Sequence, residues 1–177
     1  MKAILISIRP QHTCNILNDI KWWEIRKKFP KDYVGWVYIY CTKDKKYANL
    51  INRGGFLTGM VVARFWCDKV EDYVNGCLWK NEDNSYSDYE KMLKPSCLTE
   101  DELYDYCEDL SFKAIHITKL EIFDKPKEIS EFYRLGAWKV YEEQFDSSYM
   151  KRTEQEIMKS LSQTLTRAPQ SWCYIEI

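Results

Sequence analysis

A near-continuous apolar run at residues 3–8 (AILISI) constrains the fold more than any other stretch of the chain. Apolar side chains at successive positions suit a central strand that is covered on both faces. Pro10 then fits the first turn of a helix, and apolar residues recur at helical spacing after it, so we predict a helix over about residues 10–18. The sequence therefore predicts a buried strand that runs directly into a helix.

Three further segments have the composition of β-strands. Residues 36–41 (WVYIYC) are aromatic and β-branched. Residues 57–65 form a second run of this kind, in which Gly59 is expected to introduce a bend, and residues 172–175 form a third. Together with the first run they indicate a largely β core.

The segments between these runs contain helical signals and one long unpatterned stretch. Thr99, with Glu102 three residues later, has the spacing of a capping box and predicts the start of a helix. Residues 43–53 and 154–161 also have helical patterns. Residues 71–98 have the weakest pattern, and a connection of that length predicts a lid-like or binding loop.

The hydrophobic pattern changes face near Lys119. Ile115 and Ile117 occupy odd positions, whereas Leu120 and Ile122 occupy even ones, so a β-bulge is predicted between the pairs. Barrels use such bulges to turn corners. We therefore predict an α+β fold, a mixed, partly open β-barrel of five to seven strands with two or three surrounding helices. The positions expected to be buried are Ile4, Ile6, Val37, Ile39, Val61, Ile117 and Ile122.

Residues 21–26 (KWWEIR) form the most distinctive charged motif of the chain. Read with a period of two, they predict a short strand with Trp22, Glu24 and Arg26 on one face and Trp23 on the other. In a functional interpretation, the motif lysine and arginine meet a phosphate or a base edge, and the glutamate orients the arginine or accepts a hydrogen bond from an exocyclic amine. In a structural interpretation, the same charges form a surface ion pair worth at most ~1 kcal/mol.

The motif resembles the signature of the ASCH domain family, in which a lysine is followed by a glutamate and then by an arginine. Members usually carry a glycine before the lysine and a Lys-Thr pair, whereas Asp19-Ile20 precede it here and two tryptophans replace the smaller pair. Several other segments resemble phage-encoded members of the family, and together they cover most of the chain. They are residues 7–10 (SIRP), 37–42 (VYIYCT), 67–70 (CDKV), 123–128 (FDKPKE) and 169–174 (PQSWCY).

The resemblance implies a single ASCH domain over residues 1–177, with the PUA-like fold of small β-barrels. Such folds have a ligand groove between an early helix and the barrel, which makes Ser7 and Arg9 further candidate ligand-binding residues. A helix N-terminus there offers free backbone amides to an anion. Trp22 or Trp23 is a candidate for base stacking, and Trp172 for the rim of the groove.

Three functions remain open at this stage. The leading one, implied by the resemblance, is binding of RNA, other single-stranded nucleic acid or a modified nucleotide through a cleft around Lys21–Arg26. The first alternative is a small hydrolase acting on a modified nucleoside or on RNA, with Lys21 and Glu24 as base and acid. Family amidohydrolases carry a threonine where this chain has Glu24. The second alternative is a protein-interaction module that uses the aromatic surface and the acidic residues 82–109.

Composition indicates the cellular compartment and the absence of cofactors, but it does not distinguish these three functions. The net charge is −1, so the whole chain exerts no global attraction on nucleic acid. Lys and Arg nevertheless outnumber Asp and Glu by 11 to 4 in residues 1–53, which predicts a basic end of the fold. The seven cysteines form no C-x-x-C pair, which predicts free thiols in a reducing compartment. With two histidines and no long apolar run, we expect a cytoplasmic protein without metal, cofactor or membrane partner.

Overall fold

The computed structural model describes residues 2–44, 58–78, 89–134 and 164–177, and those ranges contain ten strands and three α-helices. The strands are β1 (Lys2–Ile8), β2 (Trp23–Arg26), β3 (Gly35–Cys41), β4 (Val61–Cys67), β5 (Val70–Val74), β6 (Cys77–Leu78), β7 (Phe112–His116), β8 (Thr118–Lys127), β9 (Tyr133–Arg134) and β10 (Trp172–Glu176). The helices are α1 (Pro10–Leu17), α2 (Glu90–Ser96) and α3 (Glu100–Tyr106), and a 3₁₀ turn covers Ile129–Glu131.

The strands form two sheets. A six-stranded sheet has the order β8-β4-β3-β1-β10-β9, and a four-stranded sheet has the order β2-β7-β5-β6. β1 and β3 run parallel, while the other pairs in both sheets run antiparallel. The predicted mixed α+β fold with two or three helices is confirmed. The described strands form open sheets without closure into a barrel, and they number ten rather than the predicted five to seven, two of them being only two residues long.

The parallel pairing of β1 and β3 explains where the charged motif lies. Parallel neighbours require a crossover connection, because a tight turn reverses the direction of the chain and gives an antiparallel pair. Residues 9–34 provide that crossover, and they contain α1 and then β2. β2 does not join the large sheet; it pairs with β7 and forms the edge of the small sheet. The motif is thereby placed between α1 and both sheets.

β1 is buried on both faces, as its apolar run predicted. Ile4, Ile6 and Ile8 pack into one core cluster with α1 and β3, and Ala3 and Leu5 pack into a second cluster on the opposite face. All five side chains are at most 1% exposed. A third cluster lies under the small sheet, where β2, β7, α2 and α3 bury their apolar residues. β2, which carries part of the charged motif, is therefore packed on a buried apolar cluster.

The predicted bulge at Lys119 is confirmed. Trp66 pairs with Thr118 and Arg64 with Glu121, so three steps along β8 match two along β4, and Lys119 adopts a left-handed backbone with φ 44°. Burial was predicted correctly for the positions in β1, β3 and β4. It was wrong for Ile122, which is 56% exposed because β8 is the edge of its sheet, and Ile117 is only half-buried.

Local signals located one helix and missed another. Thr99 forms the predicted capping box with Glu102 and begins α3. The loop interpretation of residues 71–98 was wrong in part, because most of β5 and all of β6 and α2 lie within that range. The helical patterns of residues 43–53 and 154–161 fall outside the described residues, except for the first two positions. No helix in the described ranges is long and apolar enough to cross a membrane.

Candidate functional site

Lys21 is held in place by two helices. Its backbone N–H donates to the Asn15 carbonyl near the end of α1, over 3.1 Å, and its side chain is only 2% exposed. Nζ donates over 2.5 Å to the carbonyl of Ser96, which is the last residue of α2. The last carbonyls of a helix have no partner within the helix. The lysine therefore satisfies one of them and ties α2 to the motif.

Glu24 joins the two cations of the motif. One carboxylate oxygen lies 3.3 Å from Nζ of Lys21, and the other is ion-paired with Nη1 of Arg26. Glu24 is 3% exposed and Arg26 is 13% exposed. The predicted strand begins at Trp23 rather than at Lys21. The motif is thus a buried ionic network, and the interpretation of it as a surface ion pair is excluded.

The ionic network keeps Glu24 charged. Burial would raise its pKa, but the positive charges of Arg26 and Lys21 outweigh that effect and hold the pKa below the ordinary value of 4.5. A carboxylate buried with two cations leaves a net positive charge. Removing Glu24 would leave two buried cations without a counter-charge in a site where desolvation is costly, whereas removing either cation would leave a neutral pair.

Ser7 and Arg26 connect the network to the C-terminal segment. Nη2 of Arg26 donates to the Ser7 carbonyl over 2.6 Å, and Nη1 donates to the Ile25 carbonyl over 3.1 Å. The Ser7 hydroxyl donates to the Pro169 carbonyl over 2.6 Å, and its N–H donates to the Ser171 carbonyl over 2.8 Å. Ser7 is therefore a structural junction whose hydroxyl is already engaged.

The two motif tryptophans have different environments. Trp22 is 52% exposed, and its indole N–H donates to both the backbone and the side chain of Asp19. Trp23 is 8% exposed and packs on His116, with ring centroids 4.6 Å apart, inside the core of the small sheet. Only Trp22 offers an indole surface to a ligand.

Trp172 and Arg9 lie at the border of the network. The Trp172 indole donates to the Lys28 carbonyl over 2.6 Å and packs edge-on against Phe29, directly after the motif. Arg9 is the exposed N-cap residue of α1, and within the described residues its side chain makes no hydrogen bond or ion pair. Of the predicted site residues, Ser7, Lys21, Glu24 and Arg26 make direct contacts within one network.

His12 belongs to this site although no pattern in the sequence indicated it. It lies in the first turn of α1, and the charges of Lys21, Glu24, Glu102 and Arg26 act on it. Burial, followed by the charge of Lys21, lowers its pKa below 6.5, so the imidazole is neutral at pH 7. Its Nδ1 is buried and has no hydrogen-bond partner among the described residues, as is also true of Nε of Arg26.

Metal and thiol chemistry find no support around the motif. Within the described ranges, no group of three or more His, Cys, Asp or Glu is arranged to hold a metal ion. All seven cysteines are free. Burial raises the pKa of Cys41 and Cys67 to about 12, so both are protonated and poorly nucleophilic at neutral pH.

The comparisons with known proteins place the fold. No protein-family model matches the sequence, and no curated protein matches it. Among solved structures, the ASCH protein from Zymomonas mobilis is similar, with 16% identity and a TM-score of 0.51 over 90% of this chain and 95% of that chain. Two mutant forms of that protein, called ZmASCH, give 15% and 14% identity, with TM-scores of 0.53 and 0.54. They cover 92% and 90% of this chain and 99% and 96% of theirs. The chain therefore has the mixed α+β fold of the ASCH protein of Zymomonas mobilis.

Proposed function

We propose that the chain binds RNA or a modified nucleotide through the residues around Lys21–Arg26, here called the motif cleft. The hydrogen bonding of the Arg26 guanidinium is the main observation that supports this proposal. Glu24, the Ser7 carbonyl and the Ile25 carbonyl fix its guanidinium, while Nε has no acceptor among the described residues. An unpaired buried donor costs ~1–3 kcal/mol, which an incoming ligand oxygen would recover. A fixed guanidinium also presents a directed fork to a phosphate or a base edge.

The surroundings of Arg26 support the same ligand class. Lys27 and Lys28 follow it and are exposed, and Arg9 is exposed at the start of α1. Screened cations of this kind attract a phosphate backbone without fixing its position. The exposed indole of Trp22 adds a stacking surface, for which a base gains about 1–3 kcal/mol.

A small hydrolase is the second candidate, and the neutral His12 beside Lys21 and Glu24 favours it. An uncharged imidazole is able to take a proton at pH 7, which is the requirement for a general base. Incubation with modified nucleosides and with short RNAs, followed by chromatography, tests turnover directly. Loss of turnover by about 100-fold in Glu24→Gln, with binding retained, would establish the hydrolase.

A thermal-shift screen over nucleosides, modified nucleosides and short RNAs tests the binding proposal. A ligand present at 100 times its Kd stabilises the folded protein by about 2.7 kcal/mol, which corresponds to roughly 5–10 °C in Tm for a chain of this size. Lys21 is buried and paired, so we expect one dominant phosphate contact and a salt slope near −0.7 for single-stranded RNA. If no nucleotide raises Tm, RNA binding is contradicted and the interaction module that uses residues 82–109 is favoured.

Our proposals for the family, the domain organisation and the cellular location rest on the sequence. The motif and its flanking segments support an ASCH-family member of the phage-encoded type that acts as a single domain. Seven free thiols support a reducing, cytoplasmic location.

A further inference from the structure

We propose that His12 is a ligand-contacting residue of the motif cleft and reads the edge of a nucleobase that carries an N–H group beside a carbonyl, as uracil and guanine do. The inference rests on the proposed nucleotide binding and names the class of base that the site selects. Two buried atoms without a partner among the described residues carry it, namely Nδ1 of His12 and Nε of Arg26. Such unpaired buried atoms call for a specific explanation in a folded protein.

Three elements converge on the His12 side chain. Its own helix α1 carries no acidic residue in its first turn. The motif segment contributes Lys21, Glu24 and Arg26, and α3 contributes Glu102, whose carboxylate already accepts a hydrogen bond from the Thr99 N–H at 2.9 Å. These four charges therefore act on the imidazole, and none of the described residues forms a hydrogen bond with its Nδ1.

His12 adds to the network an acceptor that has no partner among the described residues. Lysine and arginine side chains only donate hydrogen bonds. Each oxygen of Glu24 is already engaged with a cation. A neutral imidazole keeps a lone pair, so Nδ1 is able to accept from a ligand N–H. Arg26 donates from Nε to the neighbouring carbonyl oxygen of the same base.

This pairing of a donor with an acceptor gives selectivity that phosphate attraction cannot give. Contacts to phosphate carry no information about the base. A site built to hydrogen-bond a polar group strongly rejects an analogue that lacks the group, because its own buried atoms then stay unpaired. A base whose N–H has been replaced by N–CH₃ should therefore bind less well.

The test compares two short single-stranded RNAs of equal length, one of uridine and one of 3-methyluridine, by fluorescence anisotropy at pH 7.5. For the unmodified protein we expect about tenfold weaker binding of the methylated RNA, the effect of one hydrogen bond. His12→Leu should bind both RNAs equally. His12→Asn places an amide near the position of Nδ1 and should restore part of the preference. Gln11→Leu changes the exposed neighbouring residue and should leave the preference intact.

The outcomes separate the two proposals. If the unmodified protein binds uridine RNA and His12→Leu still discriminates against the methylated form, the role of His12 is overturned while nucleotide binding stands. If the unmodified protein binds neither RNA, the role of His12 is overturned, and the thermal-shift screen decides whether nucleotide binding stands. Lowering the pH stepwise below 6.5 adds a second measurement. Once the imidazole is protonated it has no lone pair, so uridine RNA should then bind more weakly to the unmodified protein and unchanged to His12→Leu. A gain in affinity that depends on His12 would indicate a phosphate contact and would also overturn the proposal.

Discussion

Arg26 donates a hydrogen bond to the backbone carbonyl of Ser7 over 2.6 Å, and this bond joins the edge of the small sheet to the end of the central strand of the large one. Ser7 in turn holds the segment at Pro169–Ser171 through its hydroxyl and its N–H. The motif arginine therefore has two consequences for the molecule. It stabilises the junction between the sheets, and its Nε, which has no acceptor among the described residues, is the donor that we propose for a ligand contact.

Replacing Arg26 separates these two consequences. Arg26→Ala should lower the free energy of unfolding by ~1–3 kcal/mol, because the Ser7 carbonyl and one oxygen of Glu24 lose their donor while Lys21 still pairs with Glu24. Arg26→Lys keeps the charge but loses the fork, so it should cost less stability and still weaken RNA binding. Urea denaturation and anisotropy with a short RNA measure the two effects.

Lys28→Ala is the matched control for Arg26, since Lys28 is exposed and lies two residues further along. Its stability should change by no more than about 0.5 kcal/mol. Its RNA binding should weaken less than that of the Arg26 variants, because an exposed lysine contributes mainly a screened charge. Equal losses of affinity in Lys28→Ala and Arg26→Lys would contradict a directed contact by the arginine.

Glu24→Gln should be among the most destabilising conservative changes in the chain. It leaves Lys21 and Arg26 buried together without the carboxylate between them, a loss of about 3–5 kcal/mol. Glu121→Gln removes the carboxylate of a comparable pair with Arg64, but Glu121 is 47% exposed, so we expect at most ~1 kcal/mol. Similar urea midpoints for the two variants would show that the motif network contributes no more than a surface pair.

The pH dependence of stability should also identify Glu24. Its folded-state pKa lies below the ordinary value of 4.5, because Arg26 and Lys21 outweigh the raising effect of burial. The stabilisation is therefore complete above pH 4.5 and is lost as the pH falls through the folded-state pKa. Between pH 5 and pH 3 the free energy of unfolding should fall more steeply for the unmodified protein than for Glu24→Gln. Parallel curves would exclude this linkage.

The parts of the fold that follow from local pattern could be predicted from the sequence. The change of hydrophobic face around Lys119 predicted a bulge, and Thr99 with Glu102 predicted a helix start, because both signals lie within a few neighbouring residues. Ile122 was wrongly expected to be buried. Its alternation pattern is that of a half-buried strand, but the pattern does not say that the strand lies at the edge of its sheet.

The charged residues of the candidate site could be predicted from the sequence, but their burial and their distant hydrogen-bond partners could not. The spacing of Lys21, Glu24 and Arg26 identified the motif, but the acceptor of the lysine is the Ser96 carbonyl, 75 residues away. His12 was missed for the same reason, since no spacing in the sequence indicates that the charges of the motif act on a side chain in α1. Burial of the network depends on tertiary contacts, which is why a surface ion pair and a buried network share one sequence pattern.

The backbone at Lys119 offers a test of the bulge. With φ at 44°, the residue occupies the left-handed region, where a β-branched side chain is strained. Lys119→Val should cost roughly 1–2 kcal/mol, whereas Lys119→Gly relieves the strain and should be close to neutral. Lys125→Val, on the same exposed strand, is the control and should be near neutral. If Lys119→Val and Lys125→Val have the same thermal midpoint, the left-handed conformation is absent in solution.

The adjacent tryptophans should respond in opposite ways to replacement by alanine. Trp23 is 8% exposed and packs in the core of the small sheet, so Trp23→Ala should lower the free energy of unfolding by about 3–5 kcal/mol. Trp22 is 52% exposed, and its loss should cost less than about 1 kcal/mol of stability.

RNA binding should show the effect of Trp22 instead, with a loss of ~1–3 kcal/mol of binding free energy if a base stacks on the indole. Trp22→Phe keeps a stacking ring but not the hydrogen bond to Asp19, so it should retain most of the affinity. Unchanged RNA affinity in Trp22→Ala would remove this tryptophan from the site and leave recognition to Arg26 and its neighbours.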